Sequence, residues 1–154
     1  AAIVGRYDIM QHFDKTKVGE DGFLMQLGTL SGNPVAAIAG LKTLEVLSRE
    51  NAYKKMRSDG QRLMDIFHKH LKSSGVNYKV VGDQTLFDVV FSDMEILNYR
   101  DYISSNKDTY QRFNSSLREN GIFKLPGKVY VSSVLTEIDF QLAESAISRA
   151  SSNL

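Results

Sequence analysis

Residues Gly28-Thr29-Leu30-Ser31-Gly32-Asn33-Pro34 carry the densest signal in the chain. Asparagine is a favoured helix N-cap because its short carbonyl arm accepts from a free backbone N–H. Proline suits the first helical position, where no N–H is needed. The run therefore predicts a helix from Pro34 to about Arg49. Ile38, Leu41 and Leu44 lie on one face, with Leu47 a turn further on. Ala36, Ala39, Gly40 and Thr43 make a neighbouring face of small residues that lets another backbone come close. Two readings of the run stay open at this point. In one, the glycines admit a close ligand, and Thr29 and Ser31 offer hydroxyl donors. The free N–H groups and dipole at the helix start then favour a phosphate. In the other, the glycines only make a capped turn between a strand and a helix.

Working outward, Ala1 to Val4 read as a small apolar strand stopped by Gly5. A strand at the first residue suggests the rear part of a longer protein, and a processed or trimmed chain is the alternative. Tyr7 to Phe13 predict a short helix, Asp14 to Gly22 a polar loop, and Phe23 to Leu27 a short apolar run. Downstream, Tyr53, Met56, Gly60, Leu63, Phe67 and Leu71 form a one-sided stripe, predicting a helix over about Asn51 to Ser73. Its lysines and arginines then make a solvated face. After Ser73-Ser74-Gly75 the period changes. Val76 to Val81 and Leu86 to Phe91 predict two strands joined through Gly82-Asp83-Gln84-Thr85 as a hairpin. A helix from about Lys107 should stop at Gly121, a third strand should run from Lys128 to Ser133, and Thr136 should cap a last helix. The order β-β-α-β-α predicts an α+β unit, a three-stranded antiparallel sheet covered by helices.

Composition narrows the function. The 154 residues are 42% hydrophobic and 24% charged, which excludes disorder, collagen and coiled-coil composition. Lys+Arg is 19 and Asp+Glu is 18, for a net charge of +1, so there is no electrostatic case for nucleic acid or an anionic membrane. No apolar run reaches the roughly 18 residues of a spanning helix. With no Cys there is neither a disulfide framework nor a thiolate, and a cytoplasmic location is expected. His68 and His70 stand two apart on a predicted helix and cannot share a face as metal ligands. No Ser-His-Asp order, H-E-x-x-H, Walker sequence or G-x-G-x-x-G occurs. Neither a metal ligand nor a catalytic residue is therefore expected in this chain.

Met25-Gln26-Leu27 before the run, and Ala36-Ala37 and Gly40-Leu41-Lys42-Thr43-Leu44-Glu45 after it, give the stretch 25–45 a family likeness. It resembles the class III aminotransferases, pyridoxal-phosphate enzymes of fold type I, and among them most the glutamate-1-semialdehyde aminomutase branch. Ala1 to Met10, Asn120-Gly121-Ile122-Phe123 and Thr136-Glu137-Ile138-Asp139 fit the same family in order. Met25 stands where the aminomutases often have Tyr, and Leu135-Thr136 replaces a His-Thr pair.

The resemblance implies a C-terminal portion of such an enzyme. Residues 1–49 would end a large α/β cofactor-binding domain, and residues 50–154 would form a bridging helix and a small C-terminal domain. It implies pyridoxal 5'-phosphate as cofactor, a homodimer, and an amino-acid or amino-aldehyde substrate. Thr29 would bind the cofactor phosphate across the dimer, and Gly28 would lend backbone to the same place. The family's Schiff-base Lys would lie just before Ala1, so this chain alone should not be a working enzyme. A stand-alone interaction module and an unrelated phosphate-binding module are the rival expectations.

Overall fold

A computed structural model describes residues 3–49 and 51–154. The chain folds as two compact units, Ala1–Arg49 and Glu50–Leu154. Among the described residues, no helix is long and apolar enough to cross a membrane.

The first unit is helical. Helix α1 spans Tyr7–Met10 and runs into a 3₁₀ turn, Gln11–Phe13. Helix α2 spans Lys15–Gly22 and α3 spans Pro34–Leu47. Of the expected first strand, Ile3 and Val4 pair with no strand among the described residues, and Ala1 and Ala2 lie outside them. The expected loop over Asp14 to Gly22 is instead mostly α2, interrupted at Gly19. Asp14 explains the difference. Its carboxylate accepts from Thr16 N at 3.0 Å and Thr16 Oγ1 at 2.7 Å, the geometry of an N-cap. Those same two hydrogen bonds hold the Asp14 carboxyl below its ordinary range.

The second unit holds an antiparallel sheet ordered β1-β2-β3, from β1 Lys79–Asp83, β2 Leu86–Val90 and β3 Val129–Tyr130. Helices α4 (Ala52–Leu71), α5 (Tyr99–Ile103), α6 (Lys107–Glu119) and α7 (Glu137–Ser152) complete it, with α7 packed on α4 and α6. Leu71, Val89, Leu117 and Ala150 are fully buried. Phe113 meets Phe67 and Phe91 edge-on at centroid distances of 6.3 and 5.4 Å, the arrangement that ring quadrupoles favour. The α+β expectation for this part therefore holds, antiparallel sheet included.

The hairpin sits further along than its pattern suggested. Gly82 lies inside β1 opposite Phe87, at φ +129°, where a Cβ would run into the Leu86 carbonyl oxygen. Glycine here serves a close approach of two strands. The turn itself is Gln84-Thr85, closed by Asp83, whose Oδ1 accepts from Thr85 N at 3.0 Å and Thr85 Oγ1 at 2.8 Å. Helix α6 ends as expected at Gly121. Ile122 N donates to Leu117 O at 2.9 Å and Gly121 N to Arg118 O at 3.0 Å, a Schellman ending. Helix α5 was not anticipated. It is too short for an apolar period, and Asn98 starts it by accepting from Arg100 N at 2.9 Å.

Candidate functional site

The loop before α3 is built as its residue types require. Asn33 Oδ1 accepts from Ala36 N at 3.1 Å, so Asn33 is the N-cap and Pro34 the first helical residue. Ser31 N donates to Gly28 O at 2.9 Å and Asn33 N to Leu30 O at 3.1 Å, winding the loop into consecutive turns. Gln26 Nε2 donates to Ser31 Oγ at 3.0 Å. A Cβ on Gly28 would collide with that same Ser31 hydroxyl. Ser31 and Asn33 are thus occupied with loop and cap geometry.

Gly28 and Thr29 stand exposed at the apex of this loop. Among the described residues, no hydrogen bond engages the Thr29 hydroxyl or the backbone N–H groups of Thr29 and Leu30. An unengaged hydroxyl and two adjacent amides fit one side of a phosphate. In the same unit Lys42 Nζ pairs with Glu45 at 2.6 Å, and Lys15 pairs with Glu20. The loop thus offers donors to an anion, and residues 28–34 themselves contain no lysine.

The second unit contains a polar cluster that the sequence reading passed over. Asp88 is only 5% exposed although it carries a charge. Its Oδ1 accepts from Lys124 Nζ at 2.8 Å and its Oδ2 from Tyr110 OH at 2.8 Å. The signal was present: Asp88 interrupts the apolar run Leu86 to Phe91, and a buried carboxylate requires a partner. Two cavities flank the cluster. One, of about 360 Å³, is bordered by Asp88, Leu97, Tyr102 and Gly127. The other, of about 510 Å³, is bordered by Phe67, Lys124, Leu125 and Phe140. Burial pushes the Tyr102 phenol up from its ordinary range, aided by nearby Tyr110 and Asp88.

The histidines have structural partners. His12 Nδ1 lies 2.7 Å from Gly22 O, His68 Nδ1 3.1 Å from Tyr78 OH, and His70 Nε2 3.4 Å from Glu144 Oε1. No group of three or more metal-ligating side chains is assembled among the described residues.

No family model matches the chain. Solved structures do. A transaminase with PLP bound superposes with a TM-score of 0.77 at 22% identity, over 97% of this chain and 34% of that one. A β-phenylalanine aminotransferase from Variovorax paradoxus gives 0.72 at 25% identity, over 94% and 33%. The fold is that of part of a transaminase of fold type I. In sequence the chain is similar to the glutamate-1-semialdehyde 2,1-aminomutase of Methanopyrus kandleri. The two are 34% identical over 138 residues, 88% of this chain and 32% of that protein. The resemblance to class III aminotransferases, and among them to the aminomutases, is therefore borne out. The chain spans between about a quarter and a third of the length of the curated relatives it matches.

Proposed function

We propose that this chain is the C-terminal portion of a pyridoxal-phosphate-dependent aminotransferase or aminomutase, and that it contributes Thr29 and Gly28 to the grip on the cofactor phosphate. The observation that carries this reading is the open apex of the 28–34 loop, where the Thr29 hydroxyl and two amides engage no acceptor among the described residues. It falls within the stretch of strongest family likeness. When bound, the cofactor supplies the electron sink for amino transfer, and the protein supplies binding and orientation. Thr29 would donate a hydrogen bond from its hydroxyl to a phosphate oxygen, and the amides of the apex would donate beside it. Asn33 and Ser31 hold the apex in shape, and Gly28 keeps it tight.

In this reading, residues 1–49 close the large cofactor domain, and residues 50–154 are the bridging helix and small domain. The grip acts in the partner subunit's site of a homodimer. Exposed Ile38, Leu41 and Leu44 on one face of α3 support a covering partner copy. The substrate class is an amino acid or amino-aldehyde. Glutamate 1-semialdehyde, converted to 5-aminolevulinate, is the substrate if the chain's function follows its sequence relatives. The chain alone is inactive, because its lysines near the loop do not stand where the cofactor-bearing Lys belongs.

The test is an amide NMR titration of the full chain with millimolar pyridoxal phosphate and, separately, with pyridoxal, which lacks the phosphate. The amides of residues 28–33 should shift with the first and not the second. Thr29→Val should weaken the response about tenfold or more, since a hydrogen bond to a charged group contributes about 1.5–3 kcal/mol. Equal shifts with both ligands, no shifts at the loop, or an unaffected Thr29→Val variant would each reject the reading.

A further inference from the structure

We propose that Tyr110, Asp88 and Lys124 act as a positioning hub that sets the Leu125–Lys128 turn, and with it the wall between the two cavities. The inference is independent of any bound cofactor. It starts from a count of donors and acceptors. A phenol has one proton to give and two lone pairs to receive with. Tyr110 uses all three: it donates to Asp88 Oδ2 at 2.8 Å, and it accepts from Lys124 Nζ at 3.0 Å and from Gly127 N. An ammonium has three protons. Lys124 spends them on Asp88 Oδ1 at 2.8 Å, Tyr110 OH at 3.0 Å and Leu125 O at 3.2 Å. The side chains of Asp88 and Lys124 are each 7% exposed.

A network so closed has no donor left for a ligand. It also leaves the Lys124 amine fully engaged by Asp88, Tyr110 and the Leu125 carbonyl. What the network does hold is backbone. Leu125-Pro126-Gly127-Lys128 is a tight turn in which Lys128 N donates to Leu125 O at 3.3 Å and Gly127 has φ +83°. Proline followed by a residue with positive φ is the signature of a type II turn. Such a turn satisfies its last N–H itself but leaves the third residue's N–H free. That N–H, on Gly127, is the one Tyr110 receives. Lys124 meanwhile pins the carbonyl of the first turn residue. The hub thus grips the turn at both ends of its central peptides. Leu125 borders one cavity, Gly127 the other, and Lys128 both.

The energetics favour positioning over bulk stability. A buried ion pair costs desolvation that its attraction only partly returns, and an apolar pair of similar volume often serves stability as well. Removing one partner is different, because it strands the other charge. Three variants of the full chain separate these effects by amide hydrogen exchange and urea unfolding: Lys124→Met, the double variant Asp88→Asn/Lys124→Met, and Tyr110→Phe. The hub predicts that Gly127 exchange accelerates at least tenfold in Tyr110→Phe and in the double variant, while Val89 and Leu117 keep their protection. It also predicts that the double variant unfolds at a higher urea midpoint than Lys124→Met alone, or folds where the single variant does not. Unchanged Gly127 protection in Tyr110→Phe would overturn the proposal. So would a loss that only tracks Val89 and Leu117, or a double variant no more stable than the single one.

Discussion

Residues 3–49 bury none of their side chains, whereas residues 51–154 close around a core in which Leu71, Val89, Leu117 and Ala150 are wholly out of water. The two units use opposite means of defining structure. In the first, α3 starts through local chemistry: an asparagine cap and a proline at the first position. Its apolar face, with Leu41 and Leu44 both 63% exposed, is left for something else to cover. In the second, elements distant in sequence hold one another, as α4 meets the hairpin and α7 meets both α4 and α6. A sequence written for an assembly looks like the first. A sequence written for its own core looks like the second.

This contrast is testable by making like changes in both units. Leu117→Ala should cost about 2–5 kcal/mol, from lost burial and the cavity left behind. At dilutions where the chain is monomeric, Leu41→Ala on α3 should change stability by less than about 0.5 kcal/mol, as exposed positions do. Urea unfolding curves of the two variants measure this, and comparable losses would erase the distinction. Glycine gives a second paired test. A Cβ on Gly60 would strike the Gln84 carbonyl oxygen, because α4 touches the hairpin turn there, whereas a Cβ on Gly40 meets nothing within 4 Å. Gly60→Ala should destabilise by about 1–3 kcal/mol, and Gly40→Ala should gain about 0.5–1 kcal/mol of helix stability. Thermal melts of both variants should move in opposite directions.

A smaller effect isolates the local logic of the first unit. Asn33→Ala removes the acceptor for Ala36 N and should cost α3 about 1 kcal/mol. Amide exchange in residues 35–38 should quicken while Leu117 is untouched. The smallest expected effect is a pH dependence of the second unit. Arg62 holds Glu137 below its ordinary value of 4.5, and Lys69 with His70 holds Glu144 below the same value. Both are exposed clasps between α4 and α7, so each contributes little. A carboxyl that is more acidic folded than unfolded stabilises fully above its unfolded pKa. That contribution fades as pH falls through and below 4.5, towards the lower folded value. The urea midpoint of the second unit should fall modestly over that range. Glu137→Gln should flatten part of the slope, and 1 M salt should shrink it.

The parts legible from sequence follow the same division between local and distant causes. The Asn33-Pro34 start, the Gly121 stop and the Thr136 start are each set by a few neighbouring atoms, and each appears where the residue types place it. The hairpin was displaced because the role of Gly82 depends on Leu86 and Phe87 across the ladder, not on its chain neighbours. Helix α2 was missed because Asp14 caps it through a hydrogen bond that a loop-like composition disguises. The Asp88 cluster joins residues 22 and 36 positions apart, so no local window contains it. The loop at Gly28 and Thr29 was legible as an anion-friendly geometry. The ligand proposed for it rests on family likeness, because hydroxyl and amide donors do not distinguish one phosphate from another.

The account rests on this chain supplying a phosphate grip without the lysine that anchors the cofactor. Equilibrium dialysis with pyridoxal phosphate, in the presence and absence of competing inorganic phosphate, tests both halves at once. The account predicts reversible retention that phosphate displaces and that washes away completely. Stoichiometric pyridoxal phosphate that survives washing, indifferent to competing phosphate, would contradict it.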